Sequence, residues 1–289
     1  MSDVPKTLLI FVDGLGLGSA DPAINPIHSG VCPCLEELLT RAAPVDASLG
    51  VAGMPQSATG QTTLLTGVNA ARVMGRHVEA LPGPKLREVI VAHNVFSQLA
   101  VRGYRGTFAN GYFVDDVKEV LERRRQSVTT VASLAGLGSV RDTEDMLCNW
   151  AVYQDLTRET LRPRGYDGPL VTPCEAAGHL LAIAREYDFT LFEFFLTDVA
   201  AHKGSRDAQL EILKKLDEFL SVVRGHADVP RGLFVLTSDH GNMEDSTTRL
   251  HTLNPVPLVA IGQGATELRT AVKSLVDFVP ALLTLYPPR

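Results

Sequence analysis

Short apolar runs separated by amphipathic segments make up the hydrophobic pattern of this chain. Residues 6–12, 189–196 and 232–236 are nearly continuous apolar runs, as expected for strands covered on both faces of a parallel sheet. Residues 106–113 and 256–261 are predicted to form two further strands. Apolar residues recur at helical spacing in segments 34–42, 85–102, 115–125, 175–187, 210–223 and 273–286. This alternation of strands and helices predicts an α/β fold.

Aspartate and histidine residues follow three of the predicted strands or lie on the loops beyond them. They are Asp13, Asp198, His202, Asp239, His240 and His251. We expect them to converge, because ligands of an open α/β sheet bind where the carboxyl ends of its strands meet. Mixed carboxylate and imidazole ligands suit zinc or manganese better than calcium. Six ligands are too many for one catalytic ion with open positions, so they predict a pair of divalent ions.

A second polar segment, residues 53–67, combines small polar residues with the start of a predicted helix. Ser57 and Thr59 would lie at or just before the helix N-terminus, where backbone N–H groups and the helix dipole attract an anion such as phosphate. Plain N-capping by these hydroxyl groups is the alternative. A hydroxyl coordinated to a metal becomes a nucleophile. Ser57 is therefore the favoured nucleophile for attack on phosphorus, with Thr59 as the second candidate.

Composition and charge exclude several other classes of function. The 289 residues are 45% hydrophobic and carry a formal net charge of −6, which is typical of a globular enzyme and argues against nucleic-acid binding through a broad basic face. The dense basic run at 123–125 is interpreted as the solvated end of a helix. No apolar run reaches membrane length, so no membrane association is expected. The four cysteines lack the spacing of a zinc or redox motif, which favours free thiols and a cytoplasmic location.

Taken together, these motifs resemble those of the alkaline phosphatase superfamily. The motifs are VDGLGLG around Asp13, SATGQTTLLTG from Ser57, DVAAH from Asp198, SDHGNMED from Ser238, and His251-Thr252 followed by a Pro-Val-Pro run. The similarity is greatest to the branch of cofactor-independent phosphoglycerate mutases and phosphopentomutases, and it covers segments near 7–26, 53–77, 190–204 and 231–262. The resemblance implies a three-layer αβα sandwich with a mostly parallel sheet.

The resemblance also implies how the metal ligands are divided between two ions. One ion would be held by Asp13, Ser57, Asp239 and His240, and the other by Asp198, His202 and His251. Manganese or zinc is expected, with magnesium as a further candidate. The family's nucleophile lies three residues before the glycine of a Gly-His pair, which places the nucleophile here at Ser57, three residues before Gly60. Gln61 replaces that histidine.

The mutases of this family carry a large cap that shields the phosphoenzyme, whereas this chain has only residues 114–175 to spare for one. We therefore expect a catalytic core at 1–113 and 176–289 with a small cap-like insertion at 114–175. A small cap admits water, which favours a phosphatase acting on a small phosphorylated metabolite. The alternatives are a phosphomutase, which moves the phosphoryl group within its substrate, and a non-catalytic homologue. The sequence leaves the natural substrate and the oligomeric state open.

Several further residues are candidates for contact with the substrate. They are Asn25, Arg72, His77 and Lys203. Each also has an ordinary structural interpretation, because Asn-Pro is common turn chemistry and exposed basic residues are usually solvated.

Overall fold

A mixed sheet of six strands forms the centre of the computed structural model, which describes residues 4–289. The strands are β1 (Lys6–Val12), β2 (Ala43–Val45), β3 (Gly106–Phe108), β4 (Phe189–Phe194), β5 (Gly232–Thr237) and β6 (Val256–Gly262). Their order is β2-β6-β5-β1-β4-β3. β1 pairs in parallel with β4 and β5, and β3 with β4, while β6 is antiparallel to both of its neighbours. The expectation of a mostly parallel sheet is confirmed.

Helices cover both faces of this sheet. They are α1 (Pro33–Thr40), α2 (Ser57–Thr66), α3 (Ala70–Met74), α4 (Pro84–His93), α5 (Val95–Val101), α6 (Lys118–Leu121), α7 (Val128–Leu137), α8 (Thr143–Leu147), α9 (Pro173–Glu186), α10 (Leu196–Lys203), α11 (Arg206–Val223), α12 (Ala265–Ala271) and α13 (Phe278–Thr284). Successive side chains of a strand point to opposite faces. Accordingly, Leu9 and Phe11 of β1 pack with α2, α4, α5, α7, α12 and α13, whereas Leu8 and Ile10 pack with α1, α9 and α11. The fold is thus a three-layer α/β sandwich.

The central position of β1 explains how distant polar residues meet. β5, β1 and β4 are adjacent and parallel, so their carboxyl ends lie at the same edge of the sheet. The chain leaves that edge at Asp13 after β1, enters α10 after β4, and forms the Ser238–Asp245 loop after β5. The three predicted aspartates are therefore delivered side by side by strands that are far apart in sequence.

The segment predicted as one helix over 85–102 is two helices, and that prediction was wrong. Asn94 separates α4 from α5 with extended backbone angles (φ −61°, ψ 149°). Its side-chain oxygen accepts from the Ser97 N–H at 2.9 Å, and its amide donates to the Ile90 carbonyl at 3.1 Å. A buried Asn that caps both helix ends overrides the continuous helical periodicity. The helix predicted over 115–125 is likewise limited to the single turn of α6.

Replacing Asn94 by alanine is expected to lower the free energy of unfolding by about 1–2 kcal/mol, because the α5 cap and a buried hydrogen bond are lost together. Urea denaturation measures this change. Val91→Ala on the exposed face of α4 is the matched control, and its cost should stay below about 0.5 kcal/mol. Equal effects of the two substitutions would contradict the capping role.

The proposed insertion at 114–175 has two structural parts. In the first, Val128, Val131 and Ala132 of α7 belong to the main hydrophobic core. In the second, Val152 and Leu156 also belong to the core beneath the sheet, whereas other residues after α7 form a small separate cluster, made of Met146, Ala151, Tyr153, Leu161 and Tyr166. The division of the chain at 114 and 175 stays a prediction, and residues 1–3 of the predicted core lie outside the described residues. Within residues 4–289, no helix has the length and apolar character needed to cross a bilayer.

Candidate metal and phosphate site

Four of the predicted side chains converge beyond the carboxyl ends of β1 and β5. The Nε2 atom of His240 lies 3.0 Å from Ser57 Oγ, 3.3 Å from Asp13 Oδ1 and 3.5 Å from Asp239 Oδ2. Asp239 and His240 are fully buried, and Asp13 is nearly so. Nitrogen and oxygen atoms of four residues thus surround one point, in the manner of a coordination site.

Three carboxylate oxygens of this group are buried without a hydrogen-bond partner among the described residues. Asp13 Oδ1 and both carboxylate oxygens of Asp239 have none among the described residues, and an unpaired buried carboxylate is costly. Burial and the nearby Asp239 carboxylate raise the pKa of Asp13 to about 8. Burial lowers the pKa of His240, but the carboxylates of Asp239 and Asp13 outweigh it and raise that pKa to about 10. The surroundings therefore favour positive charge at this point, and a divalent cation fits them.

A second group lies beside the first and consists of Asp198, His202 and His251. His202 Nε2 is 2.9 Å from His251 Nε2 and 3.4 Å from Asp198 Oδ1, and His251 Nε2 is 3.6 Å from that same oxygen. The ring of His240 stacks on that of His251 with centroids 3.7 Å apart. The ligand atoms of Asp198, His240 and His251 all lie within 4.8 Å of one another, as do those of Asp13, Asp239 and His240. His240 thus connects two adjacent groups.

Backbone carbonyl groups orient the two histidines of the second group. His202 Nδ1 lies 2.6 Å from the Arg249 carbonyl oxygen, and His251 Nδ1 lies 2.8 Å from that of Pro55. An Nδ1–H that donates to a carbonyl leaves the lone pair of Nε2 free, and this is the usual arrangement of a metal-ligating histidine. Burial and the neighbouring His240 lower the pKa of His251 to about 4. His251 is therefore neutral at pH 7, as a ligand must be.

The sequence around Ser57 places its hydroxyl at the start of α2. Gln56, at the N-cap, makes no side-chain capping bond, so the first N–H groups of the helix are left for an anion. Gly60 allows the helix to approach closely, since a Cβ there would lie 2.7 Å from the Asp239 carbonyl oxygen. The hydroxyl of Thr59 is buried and already donates to the Gln56 carbonyl. The geometry thus favours Ser57 over Thr59.

Two cavities open onto these groups. One, of about 340 Å³, is lined by Asp13, Ser57 and Asp198 among others, and we call it the serine cavity. The other, of about 470 Å³, is lined by Ser57, Asp198, His202 and His251 on one side and by the partly exposed Met54 and Leu250 on the other. The serine hydroxyl is therefore accessible to a small ligand from both sides.

Sequence reasoning missed several residues that hold the ligands in place. Gln61 donates to Asp13 Oδ2 at 3.0 Å, which gives a structural role to the residue that departs from the family pattern. Asn242 donates to Asp198 Oδ1 at 2.8 Å, and the Thr197 hydroxyl donates to the Asp13 carbonyl at 2.6 Å. The SDHGNMED motif contained Asn242, but only the fold shows that it faces Asp198.

The fully buried Glu244 joins three loops around the site. Its carboxylate accepts from the backbone N–H of Gly16 at 2.9 Å and of Asn242 at 2.7 Å. It also accepts from the Thr252 hydroxyl and, at 3.1 Å, from the Asn254 amide. A Cβ on Gly16 would overlap the Glu244 carboxylate. Glu244 is thus a positioning residue that fixes the loops carrying Asp13, Asp239 and His251.

Replacing Glu244 by glutamine is expected to weaken metal affinity by roughly 10–100-fold, because the new NH₂ group cannot accept the bonds that the lost oxygen accepted. Metal titration of the purified protein measures this effect. Asp245→Asn is the control. It changes the adjacent carboxyl, whose Oδ1 accepts from the N–H and the hydroxyl of Thr247, and it should leave affinity unchanged. Similar affinities of both variants and the parent would refute the positioning role.

Of the four residues suggested for substrate contact, two make local hydrogen bonds and two are exposed. Asn25 caps a short 3-10 turn by accepting from the Ile27 N–H at 3.0 Å. His77 Nε2 lies 3.1 Å from the Val51 carbonyl oxygen, and Arg72 and Lys203 are exposed. None of the four lines either cavity described above. Their contact with substrate stays a prediction that this geometry does not support.

Comparison with known proteins agrees with the fold and with the nature of the site. Residues 172–284 match the model of the Metalloenzyme superfamily. A stretch of 108 residues is 33% identical to 2,3-bisphosphoglycerate-independent phosphoglycerate mutase of Acetivibrio thermocellus. This alignment covers 35% of this chain and 21% of that protein. The aligned part thus spans about a fifth of the length of this curated relative.

Solved structures extend the similarity to nearly the whole chain. The PH0037 protein from Pyrococcus horikoshii has a TM-score of 0.62 at 15% identity, with 99% of this chain and 98% of that chain covered. The alkaline phosphatase from the Antarctic bacterium TAB5 has a TM-score of 0.51 at 13% identity, with 98% of each chain covered. At such low sequence identities, the TM-scores show that the fold is shared. The predicted similarity to the alkaline phosphatase-like fold and to phosphoglycerate mutases is confirmed.

Proposed function

We propose that this chain, an alkaline phosphatase-like fold with a metalloenzyme module, is a dimetal phosphohydrolase that works through a phosphoserine at Ser57. The main support for this proposal is that the Ser57 hydroxyl, His240, Asp13 and Asp239 lie together at the uncapped N-terminus of α2. A nucleophile, a set of metal ligands and an anion-binding helix end meet at that point. Each of the three contributes to phosphoryl transfer through a covalent intermediate.

Two divalent ions fit the donor atoms present. Asp13, Asp239, His240 and Ser57 would hold one, and Asp198, His202 and His251 the other, since these are the groups with short internal distances. When bound, the ions would lower the pKa of the serine hydroxyl and neutralise charge on the phosphoryl group. We propose manganese or zinc, because carboxylate and imidazole donors suit both.

The chain's own residues account for the rest of the reaction. The Ser57 hydroxyl gives up its proton to solvent as Oγ forms a bond to phosphorus. The ester P–O bond breaks at the same time, and the leaving oxygen departs with the electron pair and takes up a proton from solvent. The N–H groups at the start of α2 bind the phosphoryl oxygens and orient the group for in-line attack. Water entering from the cavities then attacks phosphorus, the P–Oγ bond breaks, and Ser57 regains its proton as inorganic phosphate is released.

A phosphomutase is the second candidate, and the similarity to a phosphoglycerate mutase supports it. The two functions share every step up to the phosphoserine. They differ in whether water or a second hydroxyl of the substrate removes the phosphoryl group. We favour water because both cavities beside Ser57 open to solvent, and a shielded phosphoenzyme is what a mutase needs.

The four free thiols support our proposal of a cytoplasmic location.

Hydrolysis of p-nitrophenyl phosphate by the purified protein tests the main proposal. We expect activity that is lost on chelation and restored by manganese or zinc. Incubation with a phosphorylated diol then separates the two functions, since a hydrolase releases inorganic phosphate and a mutase yields the isomeric ester. Absence of p-nitrophenyl phosphate hydrolysis in the metal-loaded protein would refute the hydrolase.

A further inference from the structure

The larger of the two cavities beside Ser57 has an apolar side that the proposed chemistry does not use. We call this cavity, of about 470 Å³, the leucine cavity, after Leu250. Met54 and Leu250 line it and are 39% and 67% exposed. Ala80 adds a third apolar side chain to the lining. Exposed apolar side chains grouped in one recess indicate a binding surface, because covering them with a ligand removes apolar area from water.

A contact between two loops places the apolar residues beside the ligand groups. His251 Nδ1 lies 2.8 Å from the Pro55 carbonyl oxygen, and Leu250 and Met54 each precede one residue of this pair. The Leu250 N–H also donates to the Thr248 hydroxyl at 3.0 Å. The apolar side of the cavity is therefore attached to the segments that orient His251.

In-line displacement at phosphorus sets the direction in which the leaving group extends. The attacking Ser57 Oγ and the leaving oxygen lie on opposite sides of phosphorus. Ser57 belongs to the first ligand group, with its Oγ 3.0 Å from His240 Nε2. His202 and His251 of the second group line the leucine cavity but not the serine cavity. For a phosphoryl group between the two ligand groups, the leaving oxygen therefore faces the leucine cavity.

The charges of the leucine cavity disfavour a second anionic group in the ligand. Among the described residues that line it, none is a lysine or an arginine, and Glu79 contributes a carboxylate on an exposed residue. Asp198, the other acidic residue of the lining, belongs to the second ligand group. A leaving group in this cavity therefore gains from apolar contact, whereas an anionic end would find no cationic side chain to pair with.

We propose that the leucine cavity binds an apolar leaving group, an alkyl or aryl group joined to phosphate through the ester oxygen, while the phosphoryl group lies at Ser57. This inference rests on the proposed function and narrows the substrate to phosphomonoesters of apolar alcohols or phenols. Met54 and Leu250 set the preference, because they supply the large apolar side chains of the lining.

Binding of non-hydrolysable phosphonates tests this inference without relying on turnover. Titration calorimetry on the metal-loaded protein compares n-alkylphosphonates of increasing length with phosphonoalkanoic acids of the same length. We expect the affinity of the alkyl series to rise about threefold per methylene until the cavity is filled, with an increasingly negative heat-capacity change. The carboxylate-ended series should bind more weakly at each length. Affinities that do not depend on alkyl length, or tighter binding of the carboxylate-ended series, would overturn the proposal.

Two leucines on either side of His251 provide a matched pair of variants. Leu250→Ser should lower the ratio of pentylphosphonate affinity to methylphosphonate affinity about fivefold, because the apolar contact with the longer ligand is lost. Leu253→Ser is the control, since Leu253 is 68% exposed and lines neither cavity beside Ser57. Its affinity ratio should equal that of the parent. Equal ratios in the two variants would refute the role of Leu250.

Hydrolysis of p-nitrophenyl phosphate separates this inference from the proposed function. Length-dependent phosphonate binding by a metal-loaded protein that lacks this hydrolysis would refute the hydrolase and leave the assignment of the leucine cavity in place. Hydrolysis together with phosphonate affinities that do not change with alkyl length would refute the assignment and leave the hydrolase in place.

Discussion

Replacing Ser57 by alanine is expected to reduce phosphohydrolase activity by on the order of a thousandfold or more, because removal of a nucleophile leaves only binding and electrostatic effects. The variant should keep its metals, since Asp13, Asp239 and His240 would still hold the first ion. Hydrolysis of p-nitrophenyl phosphate and elemental analysis of the same samples measure the two quantities. Acid-quenched parent enzyme, in contrast, should contain a phosphorylated peptide that includes Ser57.

Thr59→Val is the control for this experiment. It removes a nearby hydroxyl that donates to the Gln56 carbonyl and accepts from the Val78 N–H. We expect a loss of about 1 kcal/mol in the free energy of unfolding but activity within a few-fold of the parent. Activity that survives Ser57→Ala and disappears in Thr59→Val would assign the nucleophile to Thr59 and overturn the present assignment.

Replacing Asp239 by asparagine is expected to lower metal affinity and activity by roughly a hundredfold or more, because a charged ligand is lost. The melting temperature of the variant relative to the parent should depend on whether metal is present. With metal added, the variant should melt below the parent, since it gains less from binding. In chelator it should melt above the parent, because both Asp239 oxygens are buried without a hydrogen-bond partner among the described residues and the Asp239 carboxylate helps to raise the pKa of Asp13 to about 8. The substitution removes this unfavourable like charge.

This crossing of melting temperatures distinguishes a metal ligand from a residue that merely stabilises the fold. Asp207→Asn on the exposed first turn of α11 should shift neither temperature by more than a degree or so. A variant of Asp239 that is destabilised equally with and without metal would show that the carboxylate has a structural role only.

Much of the central fold could be predicted because its strands carry a strong local signal. β1, β4 and β5 are buried along nearly their whole length, so their apolar runs are continuous and end at polar residues. β2 was missed because it is short and contains Pro44. α7 was missed because it is buried on most sides and therefore lacks an amphipathic pattern.

The ligands of the candidate site could be predicted for a different reason, namely that they follow strands that meet at one edge. The residues that hold these ligands in place could not be predicted, because each acts through a contact between distant parts of the chain. Glu244 reaches Gly16, and Gln61 reaches Asp13. Hydrophobic periodicity carries no information about such pairs.

Anomalous diffraction from crystals grown with manganese shows whether these side chains hold two ions. We expect two strong peaks, one in contact with Asp13, Asp239 and His240 beside the Ser57 hydroxyl, and one in contact with Asp198, His202 and His251. Manganese bound elsewhere on the protein, with no peak between these side chains, would contradict this expectation.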